Sequence, residues 1–192
     1  VTDLEIVGLS RWMPLDLGAD TETYAAELAA TYPRTPAVDL VAAGVAGMAA
    51  RFTEARAEAD RSGDSVLVAA WLFLHADDDL RPIAHATLQG VRVPAADLDV
   101  PGVVRLLTED EELYQDPEVR PVQTASGPAT FLRYRPVVRD GGEREVHERS
   151  VVFWLRPEQD MAVLLSAYTD DLVGGAEVAD ALEQLSEGVT GA

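Results

Sequence analysis

The residues Val151-Val152-Phe153-Trp154-Leu155-Arg156-Pro157-Glu158-Gln159-Asp160-Met161-Ala162-Val163-Leu164-Leu165-Ser166-Ala167-Tyr168 decide the fold. Two apolar runs rich in β-branched and aromatic residues flank a short turn segment, so they read as strands. A link this short joins only antiparallel neighbours, because a parallel pair needs a crossover of a dozen or more residues. Both runs are apolar at successive positions, so both faces of this part of the sheet require cover.

Upstream, residues 118–124 and 129–139 read as two more strands of the same meander, and the strand containing Val151 extends back to Arg144. Ser126-Gly127-Pro128 and Asp140-Gly141-Gly142 supply the turn chemistry between them. The second strand alternates Phe131, Arg133 and Arg135 with Leu132 and Tyr134. The outer half of the third, residues 144–149, is charged. These halves are expected to leave the core as a polar ribbon.

Earlier still, residues 65–75 form a nearly continuous apolar run, and residues 83–93 read as its hairpin partner across Asp77-Asp78-Asp79. A helix capped by Asp20 or Thr21 is expected to reach Thr31, with Tyr24, Leu28 and Tyr32 at helical spacing. Pro33 and Pro36 break it. A longer helix follows over 37–61, its stripe Val38, Val41, Val45, Met48 and Phe52 facing the sheet. Gly44 and Gly47 beside that stripe suggest close approach to a neighbouring backbone. Leu98, Val100, Val103, Val104, Leu106 and Leu107 offer a short helix inside a crossover, and the acid run Thr108-Glu109-Asp110-Glu111-Glu112 after it reads as a solvated face. Val178, Leu182, Leu185 and Val189 mark a closing helix. Gly174-Gly175 before it lacks the Lys-Ser/Thr of a P-loop and reads as a turn. Residues 1–19, with Pro14, read as an extended arm or edge strand. The expected architecture is α+β: one domain over 1–192, with a single antiparallel sheet of about six strands flanked by helices, an α/β/α sandwich.

The 192 residues carry 34 acidic and 15 basic groups, a net charge of −19. That balance argues against nucleic acid, whose phosphates reward a basic face, and against an anionic membrane surface. Every basic residue is Arg, there is no Lys or Asn, and Ile occurs only at Ile6 and Ile83. Codon usage in a GC-rich genome, such as an actinobacterial one, accounts for this; adaptation to salt is the competing cause. The absence of cysteine removes disulfides, thiolate metal sites and cysteine nucleophiles. No signal-peptide pattern opens the given residues, and the longest apolar run, 66–74, falls far short of the ~20 residues a membrane span needs. A cytoplasmic location is the expectation.

The search for chemistry centres on three histidines. His75 and His85 lie near the ends of hairpin partners and, with Asp77 to Asp79, make a conceivable metal site. His147 sits in Glu145-Val146-His147-Glu148-Arg149, where alternation puts Glu145, His147 and Arg149 on one face, available to Arg133 or Arg135 across the ribbon. There is no Gly-x-Ser-x-Gly elbow, and no cofactor is implied.

The Arg-rich hairpin, the strand Val151-Val152-Phe153-Trp154-Leu155, the Arg156-Pro157 turn, the strand ending at Tyr168 and the closing helix together resemble the PsbP-like α/β/α sandwich. That fold is shared by a photosystem II extrinsic subunit, a Ran-binding import factor and lipoproteins of the LpqN type. The resemblance covers element order over about residues 65–189, and the helices over 21–61 depart from it. It implies a binding or accessory role. Together with the enrichment of Arg and aromatic residues at interfaces, it leads to the expectation of a non-enzymatic protein that binds a protein partner through Arg133, Tyr134, Arg135 and His147. A small-molecule or metal-dependent enzyme with a site near His75, His85 and Asp77 is the alternative, and a structural subunit of a homo-oligomer is a third.

Overall fold

The computed structural model describes residues 5–6, 11–33, 35, 37–76, 79–140 and 143–192. The expectations placed on Pro36, Asp77, Asp78, Gly141 and Gly142 lie outside these residues.

Among the described residues, seven strands build one antiparallel sheet. They are β2 (Trp12–Pro14), β3 (Ser65–Ala76), β4 (Asp79–Arg92), β5 (Glu118–Thr124), β6 (Gly127–Tyr134), β9 (Glu148–Arg156) and β10 (Met161–Thr169), in the order β2-β3-β4-β10-β9-β6-β5. The hairpin spanning Val151 to Tyr168 is thus β9–β10 at the centre. It is joined on one side by the β3–β4 hairpin and on the other by β5–β6. The edge strand expected around Pro14 is β2, which pairs with β3, Pro14 standing opposite Trp71, and brings the sheet to seven strands. The other edge strand, β5, also carries a proline, Pro121 opposite Thr130. Two small ribbons complete the strands: β1 (Glu5–Ile6) with β11 (Val189–Thr190), and β7 (Val137–Asp140) with β8 (Glu143–Val146).

The β7–β8 ribbon is the projecting polar half, and it is a separate sheet rather than a continuation of β6 and β9. Pro136 has no amide donor to extend the ladder, and on the facing side the chain leaves strand geometry at His147, whose N–H donates to the Pro136 carbonyl at 3.0 Å.

Among the described residues, four α-helices cover the sheet: α1 (Thr21–Thr31), α2 (Val38–Ser62), α3 (Val100–Thr108) and α4 (Val178–Glu187). Asp20 caps α1 by accepting from the Thr23 N–H, and Asp99 caps α3 by accepting from the Gly102 N–H. α2 ends at Gly63, whose positive φ of 73° suits a residue without Cβ. A Cβ at Gly102 would overlap the Asp97 backbone, so only glycine fits where α3 meets its approach loop. Gly44 and Gly47, by contrast, have no atom within 4 Å of a would-be Cβ. The expected backbone approach is absent there, because the alanines of α2 make the contact: Ala42, Ala46 and Ala49 are buried beside Val38 and Val45.

One face of the sheet packs on α4, through Trp71, Phe73, Leu88, Phe131, Val152, Trp154 and Leu165 against Val178, Leu182 and Leu185. Trp154 is fully buried, and its Nε1–H donates to Thr124 Oγ1 at 2.9 Å, so its one polar group is satisfied. The opposite face has two separate covers. α1 and α2 lie over Ala70, Leu72 and Leu74; α3 lies over Leu132, Val151, Phe153, Ala162 and Leu164. Burying each large side chain contributes ~1.5–3 kcal/mol. The two apolar clusters are distinct, and the strip of sheet between them is polar.

Candidate ligand-binding cleft

Register fixes what that strip contains. Tyr168 on β10 stands opposite His85 on β4 and opposite Arg149 on β9, and Arg149 stands opposite Tyr134 on β6. His85, Tyr168, Arg149 and Tyr134 therefore form a single rung across four adjacent strands, which at ~4.8 Å per strand is about 14 Å wide. One step along, Thr87 faces Ser166. These residues, with Gln89, Val151 and Leu107 of α3, line a cavity of about 440 Å³. The side chain of Phe52 on α2 reaches the other end of the rung, its ring centroid 5.6 Å from that of His85. A second recess, of about 320 Å³ and lined in part by Met48, Leu72 and Asp170, shares His85 and Tyr168 with the first. The two rings, 5.2 Å apart between centroids, form the ridge between them.

Hydrogen bonds hold the rung from its far side. The Tyr168 hydroxyl and His147 Nδ1 share a hydrogen bond, and His147 Nε2 lies 3.3 Å from Glu145 Oε2. A carboxylate only accepts, so Nε2 carries a proton, and in the neutral imidazole Nδ1 then accepts from the phenol. That fixes the tautomer of a residue only 7% exposed and leaves the lone pairs of the Tyr168 oxygen available to the cleft. Arg149 places its Cζ 5.8 Å from the Tyr168 ring centroid. Its Nη1 donates to the Tyr134 hydroxyl at 3.5 Å and lies 3.2 Å from Glu111 Oε1.

Glu109, Asp110 and Glu112 of the acid run are exposed, as expected of a solvated face, and Glu111 is half-buried because of how this segment is anchored. The chain after α3 is stitched to the break between β6 and β7: Val137 N–H donates to the Glu112 carbonyl at 2.7 Å and Tyr114 N–H to the Arg135 carbonyl at 2.8 Å. This sets Glu111 at the cleft mouth and Glu112 between Arg139 and Arg144 of the ribbon, both at 2.7 Å.

Burial, and then the charge of Arg149, depress the pKa of His85 below its usual 6.5, with Asp170 opposing, so this imidazole is neutral near neutrality. Burial, with Asp170 next, raises Tyr168, and burial raises Tyr134, so both phenols keep their protons. The cleft thus presents one cation, one neutral imidazole, two phenols, two aliphatic hydroxyls and an amide. Neither Thr87 nor Ser166 is paired with an imidazole base among the described residues. These groups can pair with an anion, donate hydrogen bonds and accept them.

The four residues expected to meet a partner do not share a face. Register puts Arg133 opposite Ser150 and Tyr134 opposite Arg149, so neighbours in sequence point to opposite sides. Arg133 and Arg135 converge on Glu148, 4% exposed, at 2.8 and 2.9 Å. Tyr134 is 2% exposed and, with His147, belongs to the cleft side. The expected grouping of Glu145, His147 and Arg149 does occur, but it gathers around Tyr168 rather than around Arg133 or Arg135. His75 is exposed near the hairpin tip, whereas His85 stands opposite Leu72 with its ring in the cleft. Among the described residues no group of three or more His, Asp or Glu side chains is placed to hold a metal ion. Nor is any helix there long and apolar enough to cross a membrane.

Sequence reasoning missed Tyr168, Thr87, Gln89, Ser166 and Glu111. A usable signal for most of them was polar residues at alternate positions of otherwise apolar strands: His85, Thr87 and Gln89 in one run, Ser166 and Tyr168 in another. A scan against protein-family models, curated proteins and solved structures finds no match to this chain.

Proposed function

We propose that this is a non-enzymatic binding protein that holds a small polar organic molecule in the cleft between α2 and α3. One observation carries the reading: the rung His85–Tyr168–Arg149–Tyr134 lies on the strip of sheet that the helices leave open, over a cavity of about 440 Å³. Ligand sites of 300–1,000 Å³ with a few convergent polar groups and titratable residues of shifted pKa are the usual geometry of small-molecule recognition. Polar side chains stand on this strip where more apolar ones would have joined the two flanking clusters. The role accords with the accessory function that the PsbP-like resemblance implies, with a small molecule in place of a protein partner.

The test is an amide ¹H–¹⁵N titration with a set of small polar compounds. Shifts grouped on residues 85–89, 149–151 and 166–168 support the reading, and Ser166→Trp, which fills the cleft, abolishes them. Shifts grouped on the β7–β8 ribbon instead, or indifferent to Ser166→Trp, sink it.

A further inference from the structure

Resting on that reading of the cleft, we infer that its ligand is a compact monocarboxylate held by the Nε and Nη2 edge of Arg149, and that Glu111, paired with Nη1 of the same guanidinium, weakens that hold by offsetting its charge. The guanidinium has five donors in a planar fork. Among the described residues only Nη1 is engaged, by Tyr134 and Glu111, and both contacts are long. The Glu111 contact is an ion pair without the alignment of a hydrogen bond. The Nε and Nη2 edge therefore keeps its parallel donors for a planar, two-oxygen acceptor, the geometry in which Arg binds carboxylate best.

The surroundings set the charge of that acceptor. Among the described residues that line the cleft Arg149 is the single cation, since burial and Arg149 itself keep His85 neutral. Glu111 pairs with it, and Asp170 and Glu145 act on the neighbouring Tyr168, in a chain of net charge −19. A second negative charge on the ligand would find no partner and three nearby carboxylates, so a monoanion is selected over a phosphate monoester or a dicarboxylate. The remaining groups define the rest of the molecule. The Tyr168 oxygen, committed as donor to His147, accepts from the ligand, while Thr87, Ser166 and Gln89 both donate and accept. Leu107, Val151 and the Tyr168 ring supply flat apolar wall. Glu111 already offsets part of the Arg149 charge from the Nη1 side, so it competes electrostatically with the ligand carboxylate and sets its affinity.

Benzoate and its neutral isostere benzamide are the probes, titrated into the full chain by amide ¹H–¹⁵N spectra. Benzoate is expected to shift the cleft amides with at least about tenfold tighter binding than benzamide, as fits a charge-assisted bidentate contact. Arg149→Gln should erase the difference, and Glu111→Gln should tighten benzoate severalfold while leaving benzamide unchanged. Glu111 lies on a surface loop, so that variant separates competition from any effect on folding. Equal binding of the two probes in the cleft overturns the carboxylate assignment and leaves the cleft reading standing. Benzoate that binds elsewhere or not at all, or that binds no better to Glu111→Gln, overturns the assignment. Whether the cleft accepts any small molecule is read independently from the Ser166→Trp comparison.

Discussion

Glu148 and Arg133 meet on the face of the sheet opposite the cleft, where the buried carboxylate oxygen Oε2 accepts from Arg133 Nη2 at 2.8 Å and also from Arg135 Nε. Removing the carboxylate strands two guanidinium groups, and Arg133 Nε is already buried without a partner. Breaking a fully buried pair costs about 3–5 kcal/mol. Both arginines retain contact with water, so Glu148→Ala should lose less, about 2–3 kcal/mol. Urea unfolding measures this, and a loss below about 1 kcal/mol would show that the clasp is ornamental to stability.

Two glycines should respond in opposite directions to alanine. Gly44 sits mid-helix in open space, so Gly44→Ala should stabilise by about 0.5–1 kcal/mol through backbone entropy and helix propensity. Gly102→Ala forces a methyl into the Asp97 backbone and should destabilise by about 1–3 kcal/mol. Thermal melts of the two variants beside wild type check both signs.

The depressed pKa of His85 makes stability depend on pH in a defined window. Below its ordinary value of 6.5 the unfolded chain takes up a proton that the folded imidazole refuses, because burial, followed by Arg149, disfavours the charge. The unfolded state binds more protons there, so stability rises with pH. The contribution is whole above 6.5 and is lost as pH falls from there towards the lower folded value. Denaturation midpoints across that range should flatten in His85→Gln relative to wild type; an unchanged slope would refute the assignment.

The hydrogen bonds around His147 predict one tautomer. Long-range ¹H–¹⁵N spectra should show the proton on Nε2, with Nδ1 accepting from Tyr168. Tyr168→Phe removes that donor, leaves a buried acceptor unpaired and should cost about 1–3 kcal/mol, with the Nδ1 resonance moving to the position of a free acceptor. A proton found on Nδ1 in wild type would reverse the direction of the relay.

Much of the architecture is legible in the chain because strand pairing near the centre is local. Arg156-Pro157 and Ser126-Gly127 announce their turns, and Asp20 and the 3–4 spacing of Val178, Leu182 and Leu185 announce their helices. Pro136 was a visible breaker inside the expected strand 129–139, and it explains why the ribbon detaches there. The cleft is a different matter. His85 and Tyr168 are neighbours only through the long-range pairing of β4 with β10, and the pattern within either strand says nothing about which residue of one will face which residue of the other. Faces were the other obstacle. Arg133, Tyr134 and Arg135 are consecutive in sequence, yet the pleat separates them, and reading composition along the chain merged two sites that lie on opposite sides of the sheet.

Pro14 and Pro121 stand in the two outermost strands, where a residue lacking an amide donor is tolerated because only one flank of the strand needs a complete ladder. At both rims, therefore, an incoming strand would meet a gap in the row of donors it must engage, a device that blunts edge-to-edge growth. The sheet is terminated at each end by its own covalent structure, so a concentrated solution of folded protein should resist fibre-like polymerisation without needing chaperone cover or a capping subunit.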